Sequence, residues 1–357
     1  MRFYMPTRLY CEKDCVARHA AELASLGRHA LVVTGASSSR KNHSLYDVLG
    51  ALESENVTYT VFDRTEENPS AETVIAAAEL GAEKGADFVI GVGGGSPIDA
   101  AKAAALMIKD PGSGIGRMFS DAPAEALPVA AVPTTCGTGS EVTGVSVITR
   151  HDLGTKMSLK HRIFPRLALV DGKYLLGAPR SLIVNTAIDT LAHLCESGVN
   201  TLADAASSMY VFMGLSRWQE CRPYIDGSAE LDGDGALSLM ETAALGGIAI
   251  AQTGTTLPHA LSYMLTYEAG VPHGQAVGAF LGNYMRYADT IDSAQLLAAA
   301  GFASAEELSA FIQTYAPVSV SRDLLERSAE SVLAKPEKLK LCPYPVDGKL
   351  MKKLIEI

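Results

Sequence analysis

The chain has 357 residues, 48% of them hydrophobic and 20% charged, and its 40 acids against 30 bases leave a formal net charge of −10. That length outgrows a single hydrophobic core, so two domains are expected. The acidic balance argues against a nucleic-acid partner, and no apolar stretch nears the ~20 residues of a membrane span. The opening MRFYMPTRLYCEKD has no apolar signal core, so a cytoplasmic location with no membrane partner is expected.

In chain order, apolar runs of strand length stand at 29–35 (HALVVTG), 57–63 (VTYTVFD), 87–94 (DFVIGVGG), 127–135 (LPVAAVPTT) and 166–172 (RLALVDG). Helical patterns lie between them, such as 70–85, with Ser70 and Thr73 at its start and Gly85 after its end. This alternation predicts a parallel sheet with helices on its faces. From Pro179 onward apolar residues recur at helical spacing with few β-branched runs. The expected architecture is an α/β dinucleotide-binding domain with a mostly parallel sheet over 1–178, then an all-α metal-binding and substrate domain over 179–357. The acidic turn at 225–235 lacks the EF-hand pattern, because Leu231 and Leu237 stand where glycine and glutamate are needed, and reads as a solvated helix connection. Six cysteines (Cys11, Cys15, Cys136, Cys195, Cys221, Cys342) lack disulfide or zinc-ribbon spacing, and Cys11 and Cys15 would share one face if helical.

Gly93, Gly94 and Gly95 follow the third apolar run and precede Ser96-Pro97-Ile98-Asp99, which offers an N-cap serine, a proline at the first helical position and an acid three residues after the cap. Glycines at such a strand-to-helix turn expose backbone N–H groups to an anion, most often phosphate. The pattern is neither the GxGxxG fingerprint nor a P-loop. A second turn, Thr134-Thr135-Cys136-Gly137-Thr138-Gly139-Ser140-Glu141, follows the next strand, and Thr138 with Glu141 has capping-box spacing. Turns after neighbouring parallel strands gather at one edge, where they could hold one long phosphorylated ligand. The turn after the first strand carries Gly35, Ser37, Ser38, Ser39, Arg40 and Lys41 but no acid, which favours NADP(H) over NAD(H).

Three of eight histidines lie in the helical half: His193, His259 and His273. Asp189 and His193 are four apart, on one helical face. His259 could begin a helix ended by Gly270 and Pro272, with His273 at the next turn. Three imidazoles and a carboxylate suit Fe2+, or alternatively Zn2+, and are poor for Ca or Mg.

These motifs together, Gly93-Gly94-Gly95-Ser96-Pro97-x-Asp99-x-x-Lys102, the 134–141 turn, Asp189-x-x-x-His193, His259 and His273-Gly274, resemble the iron-dependent (group III) alcohol dehydrogenases, nearest to members acting on butanol-type or propanediol-type substrates. The resemblance spans nearly the whole chain. It implies a dehydroquinate synthase-like/iron alcohol dehydrogenase architecture with the substrate between two domains. Gly94, Gly95, Ser96 and Asp99 would meet the pyrophosphate, Thr134, Thr135 and Thr138 would line the adenine and nicotinamide turns, and Lys156 would reach the cofactor ribose. Asp189, His193, His259 and His273 would ligate the metal. Gly35 replaces the aspartate of NAD-using members, which agrees with NADP(H). Tyr263 stands where some members carry a histidine near the substrate, and Ala187 replaces a common glycine. The expected activity is hydride transfer between a small primary alcohol and its aldehyde, in a homodimer. Two other readings share the architecture: a lyase or polyol oxidoreductase like dehydroquinate synthase or glycerol dehydrogenase, which His193 disfavours, and a non-catalytic NADP-binding sensor.

Overall fold

The computed structural model describes residues 1–288 and 291–357. Among these, eight strands form: β1 (Arg8–Cys11), β2 (His29–Thr34), β3 (Thr58–Phe62), β4 (Phe88–Gly93), β5 (Val129–Pro133), β6 (Val147–Arg150), β7 (Thr155–Ser158) and β8 (Leu167–Val170). Six make one parallel sheet in the order β1-β8-β5-β4-β2-β3, and β6 pairs antiparallel with β7. The central strands β4 and β5 are buried at every position, as expected where helices cover both faces of a parallel sheet. From β2 the chain runs outward to β3 and then crosses back to β4 on the other side of β2. The strand order therefore reverses between β2 and β4, and the carboxyl ends of these two strands open the crevice where such folds bind ligands.

The longer helices of this half are α1 (Ser44–Ser54), α2 (Ala71–Lys84) and α3 (Gly95–Lys109). In α2 the Ser70 hydroxyl caps the Thr73 N–H and Gly85 closes the other end, as the sequence predicts. After Pro179 the longer elements are helical: α4 (Arg180–Gly198), α5 (Ala205–Asp226), α6 (Gly233–Thr253), α7 (Leu257–Ala269) and α8 (His273–Tyr287). The 225–235 stretch is a connection, ending α5 at left-handed Gly227 and starting α6 with the Asp232 carboxylate on the Gly235 N–H.

Helix α6 corrects one reading. It is 21 residues long with a mean hydropathy of 1.2, apolar enough to cross a membrane by length and composition, yet 61% of that window is buried inside the protein. It is a core helix, packed on α4 and α5. Cys11 and Cys15 share no helix, since Cys11 ends β1 and Cys15 begins a separate turn.

The two halves meet through backbone. Gly139, at φ 59°, lies so close to α6 that a Cβ there would sit 2.4 Å from Gly247 Cα. At the start of α8 a Cβ on Gly274 would strike the Asn185 carbonyl oxygen of α4 at 1.8 Å. Glycine is required by space at both contacts, and the second holds the N-terminus of α8 against α4.

Candidate functional site

At the end of β4, Gly93 adopts φ 144°, a conformation that side chains rarely allow, and lets the chain reverse at once into α3. The helix consequently starts at Gly95 with Gly94 as N-cap. Ser96 is therefore not the cap: its hydroxyl accepts the Asn68 N–H at 3.0 Å. Pro97 falls inside the first turn, where a missing N–H costs no intrahelical bond. A Cβ on Gly95 would lie 2.7 Å from Thr138 Cγ2, so the two turns after β4 and β5 are pressed together.

Asp99 and Glu141 also depart from the sequence reading. Asp99 accepts from the Ser140 hydroxyl at 2.5 Å and the Val147 N–H at 2.8 Å, which ties α3 to the turn after β5 and to β6. Below it the buried Lys102 ammonium donates to Ser140 Oγ and the Val145 carbonyl, both at 2.7 Å. Thr138 and Glu141 form no capping box, because left-handed Gly139 turns the chain into a single 3-10 turn over Ser140–Val142. Glu141 is buried there, and burial pushes its carboxyl up to about 7.

One cavity of about 760 Å³ runs along these turns. Gly35, Ser38 and Lys41 line one end, and Gly94, Gly95, Ser96, Asp99, Thr134, Thr135 and Thr138 line its middle. Ser39 does not line it: its hydroxyl is buried between Thr34 Oγ1 at 2.6 Å and the Val92 carbonyl at 3.1 Å, clamping β2 to β4. Arg40 points away and pairs with Asp63 at 2.7 Å, leaving Lys41 as the cation of that turn facing the cavity. Lys156, on β7, donates to Asn68 Oδ1 at 2.6 Å and also faces the cavity, where burial lowers its ammonium to about 8.

The cavity ends on Asp189, His193, His259, Tyr263 and His273. Asp189 and His193 project from one face of α4, His259 from the first turn of α7, and His273 opens α8. Asp189 Oδ1 lies 3.3 Å from His259 Nε2 and 3.7 Å from both His193 Nε2 and His273 Nε2. Donor atoms of Asp189, His193 and His259 all fall within 4.8 Å of one another. Asp189 Oδ1 and His259 Nε2 are buried without a hydrogen-bond partner among the described residues, an arrangement that costs free energy unless something polar satisfies both. A divalent cation at their common centre meets that need, and the donor set fits Fe2+ or Zn2+.

Protonation states agree with that fit at three of the four groups; at His259 burial is outweighed by the Glu196 and Asp189 carboxylates, which hold the ring up to about 9, so a cation there would displace a proton. Burial pushes His193 down and His273 down to about 4, so both rings are neutral near pH 7. Burial alone would raise Asp189, but the surrounding imidazoles hold its carboxyl well below the usual range. Neutral imidazoles beside an ionised carboxylate are the ligand forms that metals bind.

Glu196 was not singled out by sequence reasoning. Fully buried on α4, it accepts from His259 Nδ1–H, and its other oxygen accepts the Thr256 N–H at 2.5 Å and hydroxyl at 2.8 Å. An ionised carboxylate only accepts, so Glu196 keeps a proton on His259 Nδ1 and leaves Nε2, 3.3 Å from Asp189 Oδ1, as the atom that a bound cation would take. The available signal was spacing, since Asp189, His193 and Glu196 follow i, i+4, i+7 on one face.

Comparison with known proteins agrees with this geometry. The family model of iron-containing alcohol dehydrogenase matches residues 6–172, and that of the C-terminal region of the Fe-containing alcohol dehydrogenase family matches 183–313. The chain belongs to the iron-containing alcohol dehydrogenase family. Its relatives include the NADPH-dependent butanol dehydrogenase of Clostridium saccharobutylicum, 28% identical across 80% of this chain and 74% of that protein. Alcohol dehydrogenase 4 of Schizosaccharomyces pombe is 28% identical across 80% of this chain and 68% of its own. Among solved structures, an iron-containing alcohol dehydrogenase from Thermotoga maritima superposes with a TM-score of 0.91 at 32% identity, covering 99% of this chain and 98% of that one. This membership makes the protein a relative of oxidoreductases with an α/β half and a helical half.

Proposed function

We propose that this member is a metal-dependent NAD(P)(H) oxidoreductase that interconverts a small primary alcohol and its aldehyde, with NADP(H) favoured over NAD(H). The observation that carries the reading is the single cavity that joins the turns after β2, β4 and β5 to the Asp189, His193, His259 and His273 cluster. In this reading residues 1–178 hold the dinucleotide and residues 179–357 the metal and substrate.

Asp189, His193, His259 and His273 would hold Fe2+ or Zn2+, and Glu196 fixes the His259 ring that faces it. When bound, the cation supplies a Lewis acid that polarises the substrate oxygen, and the nicotinamide supplies hydride. The backbone at Gly94 and Gly95, with Thr138 against them, offers the N-terminus of α3 to the pyrophosphate. Lys156, held by Asn68 and lining the cavity, would reach the ribose. Tyr263 lines the same end, and burial pushes its phenol up to about 12, so it keeps its proton at neutral pH and can donate a hydrogen bond to a substrate oxygen. For the 2′-phosphate of NADP(H), Gly35 presents no carboxylate, Ser38 a hydroxyl and Lys41 a cation.

The test is reconstitution with Fe2+ or Zn2+ followed by a panel of small aldehydes with NADPH and NADH. The expected result is metal-dependent, net NADPH oxidation, with kcat/KM for NADPH about tenfold above that for NADH. Turnover without net cofactor consumption would favour a lyase and overturn the reading.

A further inference from the structure

Helix α7 carries His259 in its first turn, and α8 opens on His273 and carries Tyr284 in its last turn. The Tyr284 side chain is fully buried, and its phenol oxygen lies 2.9 Å from Thr256 Oγ1. Tyr344 holds it from the far side, with its hydroxyl on the Tyr284 carbonyl at 2.9 Å and its ring 5.7 Å from the Tyr284 ring. Thr256 is the N-cap of α7, where a threonine hydroxyl ordinarily accepts an N–H of the first turn. Here that hydroxyl makes no capping bond and goes to Glu196 Oε2 at 2.8 Å, beside the Thr256 N–H at 2.5 Å. Neither Thr256 nor Tyr284 lines the cavity.

The protons along this chain of groups have a fixed order. Burial would raise Glu196, but His259 and Thr256 bring its carboxyl down, so it is ionised and can only accept. The single Thr256 hydroxyl proton therefore points to Glu196, and the Tyr284 phenol donates to Thr256 Oγ1. A hydroxyl that accepts donates more strongly, so the phenol tightens the hold of Thr256 on Glu196, whose other oxygen takes His259 Nδ1–H. Glu196, Thr256 and Tyr284 are all at 0% exposure, so bulk water cannot replace a lost donor. A buried phenol requires a partner for packing alone. The partner here is the one hydroxyl that holds Glu196, and the bond also joins the start of α7 to α8, fixing His259 relative to His273.

We infer that Tyr284 is a positioning residue for the metal: its phenol, acting through Thr256 and Glu196, holds the His259 ring with Nε2 toward Asp189 and so raises affinity for the cation. It touches neither cation nor substrate. The inference rests on the metal-site reading above and extends it to a group two side chains behind the ligand. Helix α8 then serves the site twice, with a ligand at its first residue and a fixing bond from its last turn.

The experiment is a chelator-competition titration of Zn2+ on the full-length wild type and its variants, with no turnover involved. Thr256→Val removes the hydroxyl at nearly constant shape, and affinity is expected to weaken about tenfold, the lower end of the range for outer-shell partners. Tyr284→Phe removes only the phenol oxygen, one bond further back, and a weakening of about threefold is expected. In the double variant, adding Tyr284→Phe to Thr256→Val is expected to change affinity by less than about 1.5-fold, because the route from the phenol is already cut. Fully additive effects overturn the inference. So does a Tyr284→Phe protein that loses Tm in the metal-free state but binds Zn2+ as wild type does, the behaviour of a merely structural tyrosine. Should Thr256→Val not fold, Tyr284→Phe decides against NADPH affinity as control: weaker Zn2+ binding with NADPH binding unchanged supports the inference, and any other pairing overturns it. A wild type that takes up no Zn2+ overturns the metal-site reading as well.

Discussion

The two ends of the cavity are built by opposite means. At the sheet edge the working parts in the proposed reading are backbone and small side chains: Gly93 allows an abrupt reversal, Gly95 lets Thr138 press close, and the N-terminus of α3 lines the cavity. At the helical end the working parts in the proposed reading are the side chains of Asp189, His193, His259 and His273, with Glu196 and Thr256 behind them. The first end depends on the absence of atoms and the second on the presence of particular ones. Adding a carbon should therefore damage the first, removing a nitrogen should ruin the second, and each kind of damage should remain at its own end.

The largest effect is expected from His259→Ala, which deletes a donor and leaves Glu196 buried without its partner. Metal content by atomic absorption and turnover should fall to background together, while dinucleotide binding persists. An active, metal-free variant would break the comparison. Next comes Glu196→Gln, which loosens the His259 ring without removing a donor. A chelator-competition titration should show metal affinity weakened about 10–100-fold, the range for outer-shell partners. At the other end, Gly95→Ala places a carbon 2.7 Å from Thr138 Cγ2, and KM for the dinucleotide should rise about tenfold, or about 1.4 kcal/mol, with metal content unchanged. Simultaneous loss of metal would show that the ends are not separable.

The smallest effect concerns the seam between them. Burial raises Glu141 to about 7, so the folded protein keeps a proton that the unfolded chain releases at lower pH. Its contribution to stability is present below the ordinary carboxylate range and is lost as pH rises through about 7. Glu141→Gln should gain in Tm relative to wild type between pH 5 and pH 8, by a few degrees for a difference on the order of 1–3 kcal/mol. A Tm gap that stays constant with pH would remove Glu141 from this role.

The five apolar runs were legible because strands covered on both faces read as unbroken apolar stretches. Strand β1 was not, since its four residues RLYC carry no such run, and the β6–β7 hairpin was hidden by polar residues. Ser96 and the Thr138–Glu141 pair had the spacing of caps, but Gly93 and Gly139 turned the backbone where spacing cannot see it. Glu196 had a readable position on the Asp189 face and was passed over. Ser39 and Arg40 read as ligand groups, and contacts from Val92 and Asp63 took them away from the cavity.

By itself the sequence determined the local terms: apolar periodicity, helix ends at Ser70, Gly85 and Gly270, and an inventory of three imidazoles and one carboxylate able to hold a cation. Local patterns are legible because their interactions span a few residues. Tertiary structure decided which groups meet: Glu196 with His259 across 63 positions, Asp99 with Ser140 across 41, and Lys338 with Thr255 across 83. Those meetings depend on how whole helices pack, and packing is a property of the folded chain that no short stretch of it carries.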